Sequence, residues 1–188
     1  MKIAFFTETF LPKIDGVVTR LTYTIRNLHQ LGHETFIVAP DGGVTEFDGA
    51  EVYGVPNVRL PMYKEFRLGF PQTKVHEKLD EFGPDLVHTL NPFLLGLNGM
   101  KYAQKRELPY VTSYHLHISK YTEYYNLTIL DGIFWKMVKA AHKNAQLDLC
   151  PSKEMIQEFQ HNGIEDIMLW RRGVDIDFFR PDKYSQEM

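Results

Sequence analysis

Several short stretches of this 188-residue sequence combine residue types and spacings that can do chemistry. The first is His115-x-His117, at the end of the strand expected over 110–115. Residues two apart on a strand share a face, so both imidazoles could meet one ligand. Zinc needs three or four protein ligands, and no acidic or Cys partner nearby completes such a set, so no metal is expected. At the carboxyl end of a strand His115 could instead meet a sugar hydroxyl or a phosphate. For His117 a structural role is the simpler reading.

A second stretch is Asp15-Gly16-Val17-Val18-Thr19, where the first loop enters a helix. A helix N-terminus offers unpaired N–H groups and a partial positive charge, which suit a phosphate. Gly16 lets backbone approach an anion closely, although a glycine that only permits the turn explains the same spacing. Glu8 and Asp15 are the only acids of that loop. Cys150 at a strand end could be a nucleophile, but an inert buried thiol is the plainer reading. No Ser-His-Asp order, no G-x-G-x-x-G and no G-x-x-x-x-G-K-[ST] occurs, so neither the dinucleotide fingerprint nor the P-loop applies.

The elements around these residues alternate between strand and helix. Buried strands are predicted at 3–6, 35–39, 85–89, 110–115, 147–150 and 167–170, with short ones at 51–53 and 57–60. Val17, Leu21, Ile25, Leu28 and Leu31 make one helix stripe closed by Gly32. Further helices are expected at 75–82, at 94–106, at 134–145 with Asp131 as N-cap, and from Ser152 to Gly163. Repeated strand–helix–strand order implies a single α/β Rossmann-like domain, mostly parallel, with helices on both faces. Ligands of such sheets sit beyond the carboxyl ends of the strands, which is where Glu8, Gly16, Tyr114 and His115 fall.

Composition narrows the function classes. Lys and Arg number 21 against 24 Asp and Glu, and the net charge of −3 excludes a general nucleic-acid binder. A single cysteine excludes an internal disulfide and a multi-Cys zinc site, and points to the reducing cytoplasm. The start is too soon polar for a signal peptide, and no run of about 18 apolar residues is present. One local departure stands out. Residues 59–74 mix Arg59, Lys64, Arg67 and Lys74 with Met62, Tyr63, Phe66 and Phe70 around the single acid Glu65. Such a loop can lie on an anionic bilayer or be merely solvated. Of the histidines, His88 is read as packed inside a strand, and His29, His33, His76, His142 and His161 as surface residues.

Four ordered stretches together resemble the N-terminal half of a retaining GT-B glycosyltransferase of family four. They are Phe6-Thr7-Glu8-Thr9-Phe10-Leu11-Pro12-Lys13-Ile14-Asp15-Gly16-Val17-Val18, Leu31-Gly32-His33-Glu34, Ser113-Tyr114-His115-Leu116-His117 with Tyr121 after it, and Arg172-Gly173-Val174-Asp175-Ile176-Asp177-Phe178-Phe179-Arg180-Pro181. Asp85-Leu86-Val87-His88 and Pro151-Ser152 also fit. The last long stretch departs from the family's usual Asn-Gly-Val-Asp in carrying Arg172. Within the family the look is nearest to the sulfoquinovosyl, mannosyl and glucosyl glycolipid transferases.

The resemblance implies an N-terminal domain over 1–181, the start of an interdomain linker at 182–188, and a C-terminal nucleotide-sugar domain outside this sequence. It implies a retaining hexosyltransferase that takes a UDP-sugar or GDP-sugar and needs no metal or other cofactor. Its acceptor would be a sugar or a membrane lipid such as diacylglycerol. It implies that Gly16 and Val17 amides approach the donor diphosphate and that His115, the catalytic candidate, faces the donor sugar or its phosphate. Glu8, Tyr114 and Tyr121 would line the acceptor side. Lys64, Phe66 and Arg67 would touch an anionic membrane from the cytoplasmic face. The chain alone is expected to be inactive. Two other classes compete: a non-catalytic Rossmann-like nucleotide- or sugar-binding module, and a nucleotide-dependent oxidoreductase, against which the absent glycine fingerprint counts.

Overall fold

A computed structural model describes residues 1–60, 63–115, 128–171, 173, 174, 176, 179, 180 and 182. Its centre is β1 (Lys2–Thr7), whose residues are apolar on both faces. Ala4 and Phe6 enter one core, while Ile3 and Phe5 enter another. A strand apolar on both sides must be covered on both sides, and the following elements do this. Helix α1 (Gly16–Gln30) buries Leu21 and Ile25 in the second core. Strand β2 (Glu34–Pro40) then pairs parallel to β1, with Phe36 and Val38 on one face and Ile37 and Ala39 on the other.

The chain continues through β3 (Glu46–Phe47), β4 (Ala50–Val55), β5 (Asn57–Leu60), β6 (Tyr63–Gly69) and α2 (Thr73–Phe82). It returns to the other edge of β1 as β7 (Leu86–Leu90), followed by α3 (Leu94–Lys105) and β8 (Tyr110–Ser113). The remaining described elements are α4 (Thr128–His142), β9 (Leu147–Cys150), α5 (Lys153–His161) and β10 (Ile167–Leu169). The eight-stranded sheet runs β10-β9-β8-β7-β1-β2-β4-β3, parallel except for the β3–β4 pair. Strand order therefore reverses between β1 and β7. The crevice beyond their carboxyl ends is the topological switch point, where ligands of this architecture bind.

Four local expectations need correction. The stretch 59–74 is not a loop: β5 and β6 form an antiparallel hairpin, and α2 begins at Thr73. Pairing satisfies backbone N–H and C=O groups that a long surface loop would leave to water. Helix α4 starts at Thr128, so Asp131 lies inside it and is no N-cap. Strand β8 stops at Ser113, before His115. His142 is not a plain surface residue, because its Nδ1 lies 2.5 Å from a carboxylate oxygen of buried Asp148. The tight turn after α4 brings the end of the helix over the start of β9. Ser152 caps α5 as expected, its hydroxyl accepting from the Met155 amide at 3.2 Å, and Cys150 is fully buried.

Candidate active site

Glu8 follows β1 directly, and the switch point buries it to 5% exposure. Its Oε1 accepts the amide hydrogens of Leu95 at 2.8 Å and Gly96 at 3.1 Å, at the N-terminus of α3. Those amides have no carbonyl partner within the helix, so the carboxylate serves as a cap delivered from another element. Oε2 has no hydrogen-bond partner among the described residues. Burial pushes the carboxyl up to about 7, and the Gly96 and Leu95 amides pull it only part of the way back. Gly96 is required here: a Cβ on it would sit 2.0 Å from the Asn91 carbonyl oxygen.

Asn91 follows β7 in the left-handed region, φ 64°, which Asn tolerates better than most residues. It clamps the end of β8. Its amide donates to Ser113 O at 2.7 Å, and its side-chain oxygen accepts the His115 amide at 2.8 Å. The His115 ring is held next. Its Nε2 lies 3.0 Å from Ser113 Oγ, and the same hydroxyl lies 3.0 Å from Nε2 of His88. A serine hydroxyl has one hydrogen to give and lone pairs to receive. It therefore couples the two rings, and the tautomer of one constrains the other. Burial lowers His88 to about 4, so that ring is neutral.

Trp170 closes this group, with ring centroids 5.5 Å from His88 and 5.9 Å from His115. Arg20 of α1 stacks over Trp170 at 4.7 Å and donates to its carbonyl oxygen at 2.8 Å. The segment after β10 is thus tied to the first helix beside the switch point.

The start of α1 differs from the simple phosphate-cradle picture. Asp15 Oδ1 accepts from the Val17 and Val18 amides, both at 2.9 Å, and Oδ2 lies 2.9 Å from Lys13 Nζ. Burial alone would raise the Asp15 carboxyl. The Val18 and Val17 amides and the Lys13 ammonium outweigh it and hold the group below the usual carboxylate range. The Val17 amide therefore already serves the helix cap, and a diphosphate would have to displace Asp15 to use it.

Beside Glu8 lies a cavity of about 460 Å³, walled by the loop after β1, Pro40, Gly42, Arg59 and Arg67. Its back is tight: a Cβ on Gly42 would lie 2.5 Å from the Leu11 carbonyl oxygen. Arg67 Nη1 donates to the Asp41 carbonyl oxygen, which fixes it on the cavity side. Tyr114 does not face this space. It is 1% exposed, packs 4.6 Å from Phe159 and directs its hydroxyl to Asp148 Oδ1 at 3.2 Å. Lys64 and Phe66 belong to β6, but their side chains are outside the described residues, as are His117 and Tyr121. The fold thus places Glu8 and His115 beyond the carboxyl ends of strands in one sheet, joins His115 to Ser113, His88, Asn91 and Trp170, and sets Arg67, expected at a membrane, on the wall of the cavity beside Glu8. Ser113 and His88 stood in the stretches that resemble the family, and Asn91, after a strand and tolerant of positive φ, offered a further signal.

Residues 14–178 match the Glycosyltransferase Family 4 domain. The chain belongs to Glycosyltransferase Family 4. Among curated relatives of this family 4 chain, a GDP-mannose-dependent alpha-mannosyltransferase of Corynebacterium glutamicum is 32% identical, over 98% of this chain and 46% of the relative. A sulfoquinovosyl transferase of Arabidopsis thaliana is 30% identical, over 100% and 38%. An alpha-monoglucosyldiacylglycerol synthase of Acholeplasma laidlawii is 26% identical, over 100% and 50%. The chain thus spans about half the length, or less, of these relatives. Among solved structures, a sucrose-phosphate synthase from Thermosynechococcus elongatus superposes with a TM-score of 0.65 at 16% identity, over 96% of this chain and 50% of that one. At that identity the likeness shows the fold alone: the Rossmann-like half of a GT-B glycosyltransferase.

Proposed function

We propose that the chain is the acceptor-side half of a nucleotide-sugar-dependent, retaining hexosyltransferase acting on a lipid or sugar acceptor. The observation that supports it most is the placing of polar groups beyond the carboxyl ends of the parallel strands: Glu8 directly follows β1, and His115 lies two residues after β8, tied to Asn91 after β7, in a chain of family 4. In this reading His115 faces the donor sugar or its phosphate, held by Ser113 and Asn91. The leaving diphosphate is stabilised by N–H groups at the start of α1, Gly16 among them, and by cationic groups. That stabilisation needs no metal, so chelation of divalent ions would leave turnover intact. The partner half of the enzyme holds most of the nucleotide, and GDP- and UDP-sugars are the donors to test by calorimetry.

The hairpin β5–β6 is the proposed membrane-facing element. It exposes Val58 on β5, is followed by half-exposed Phe70, and carries Lys64, Phe66 and Arg67. No helix among the described residues is long and apolar enough to cross a membrane, so contact would be peripheral and electrostatic. Charge reversal at Lys64 then reduces co-sedimentation with anionic vesicles, whereas Arg67, turned to the cavity and bound to the Asp41 carbonyl, contributes less. For catalysis, His115→Ala in the full-length enzyme lowers turnover by orders of magnitude while the protein stays folded. Wild-type turnover in that variant would remove His115 from the mechanism.

A further inference from the structure

We propose that Trp170 is a positioning residue that sets the plane of the His115 ring, and that Arg20 holds Trp170 in turn. The proposal rests on the reading of His115 as the group that faces the donor, and adds what orients it.

Trp170 is not placed as a core residue. The chain has two tryptophans. Trp135 is 5% exposed, shares a core with Val138 and Phe159, and meets the Phe159 ring at 5.2 Å. Trp170 is partly exposed and belongs to none of the three cores of the described residues. Its ring meets a guanidinium and two imidazoles instead: Arg20 at 4.7 Å, His88 at 5.5 Å and His115 at 5.9 Å.

The backbone fixes where that ring starts. β10 is the edge strand, with β9 and β8 between it and β7. One residue past β10, the Trp170 amide donates to the Cys150 carbonyl oxygen at 2.8 Å and extends the ladder to β9. Arg20 Nη1 donates to the Trp170 carbonyl oxygen at 2.8 Å. With both backbone groups held, the indole reaches across to His88 of β7. The Arg20 guanidinium over its face adds a cation–π attraction, for which tryptophan is the best of the aromatic rings. Arg20 belongs to α1, which is seated on the sheet through Leu21 and Ile25. The indole is thus referenced to rigid elements, as a precise site requires.

His115 needs such a support. β8 stops at Ser113, and the His115 amide is bound by the Asn91 side chain rather than by a strand. The hydrogen bond between Nε2 and Ser113 Oγ leaves the imidazole free to rock about that contact. The indole, inclined at 61° to the imidazole, blocks the motion. It also lies at 39° to His88, whose Nε2 shares the same hydroxyl. One side chain therefore registers both imidazoles on Ser113. A misplacement of about 1 Å at a reacting group can cost about a hundredfold in rate.

The test compares Trp170→Leu, which keeps an apolar cover without a plane, with Trp170→Phe, which keeps a plane. Both are made in the full-length enzyme labelled with ¹⁵N at histidine. In Trp170→Leu the His115 ring signals should move toward those of an imidazole exchanging between tautomers, and Trp170→Phe should hold them near wild type. Trp170→Leu should lower kcat by about tenfold or more with KM unchanged, and Trp170→Phe should recover most of that loss. In a His115→Ala background Trp170→Leu should cost no further turnover, because it acts through that ring. Arg20→Lys keeps the charge and gives up the planar stack. It should move the His115 signals in the same direction, and it serves if Trp170→Leu fails to fold.

Unmoved His115 signals, Leu and Phe variants that behave alike, or an equal loss of turnover with His115 absent would overturn the proposal. The ring signals need neither donor nor turnover. Moved signals with intact turnover would support the positioning and remove His115 from the mechanism. Unmoved signals would overturn the positioning and leave the transferase reading standing.

Discussion

Replacing Glu8 by Gln should change how stability responds to pH. The carboxyl is 5% exposed and its folded-state value is raised from 4.5 to about 7. Between those values the folded chain holds a proton that the unfolded chain has released. Stability from this group therefore falls as pH rises from about 4.5 to 7, then levels off. Each pH unit of separation is worth about 1.4 kcal/mol, so the full swing is about 3 kcal/mol. Gln keeps the carbonyl that caps Leu95 and Gly96 but does not titrate. It also buries a new N–H donor, at a pH-independent cost of about 1–3 kcal/mol. The quantity to follow is therefore the difference between variant and wild type. Urea unfolding of both proteins at pH 4, 5, 6, 7 and 8 should show that difference moving in favour of Glu8→Gln by about 3 kcal/mol from low to high pH. A difference that stays flat, or moves the other way, would refute the claim that Glu8 is a buried carboxyl uncompensated by a second partner.

Other consequences concern the same crevice. His88, lowered from 6.5 to about 4 by burial, gives the opposite limb. Stability falls by about 3 kcal/mol as pH drops from 6.5 to 4, and His88→Phe should flatten that limb in the same titration. Ser113→Ala removes the hydroxyl that joins both rings, so the ring ¹⁵N shifts of His115 and His88 should change together, and unaltered shifts would disprove the coupling. Gly96→Ala drives a methyl into the Asn91 carbonyl and should destabilise by several kcal/mol, read by thermal unfolding; a change under about 0.5 kcal/mol, the range of neutral surface substitutions, would mean the α3 entry is not tightly docked.

Much of this architecture was legible because buried parallel strands read as short apolar runs. Ile3–Phe6 and Thr35–Ala39 announce themselves in that way, and the Val17–Leu28 stripe fixes the crossover between them. Of the hairpin at Asn57–Gly69 only the first strand was legible, and its partner β6 was not. Its alternation mixes charged and aromatic side chains on an outlying two-stranded pair, so no apolar period marks it. At the site, Glu8 and His115 were visible as polar residues at strand ends. Tyr114 looked equivalent by position, yet it turns into the core to meet Asp148, thirty-four residues on. The His115–Ser113–His88 chain spans two neighbouring strands, and the α1 cap depends on which way the Asp15 side chain turns. Distances of that kind follow from strand register and rotamer, which local spacing does not encode.

The central claim is that this chain holds one side of a sugar-transfer site organised around His115. The most direct measurement is transfer of labelled sugar from GDP- and UDP-hexoses to a membrane-lipid extract, comparing the full-length enzyme, its His115→Ala variant and this chain alone. The account predicts labelled product with the donor's anomeric configuration from the full-length enzyme, and a loss of orders of magnitude in the folded variant. It predicts no appreciable product from the isolated chain. Undiminished transfer by the variant, or robust turnover by the chain alone, would contradict it.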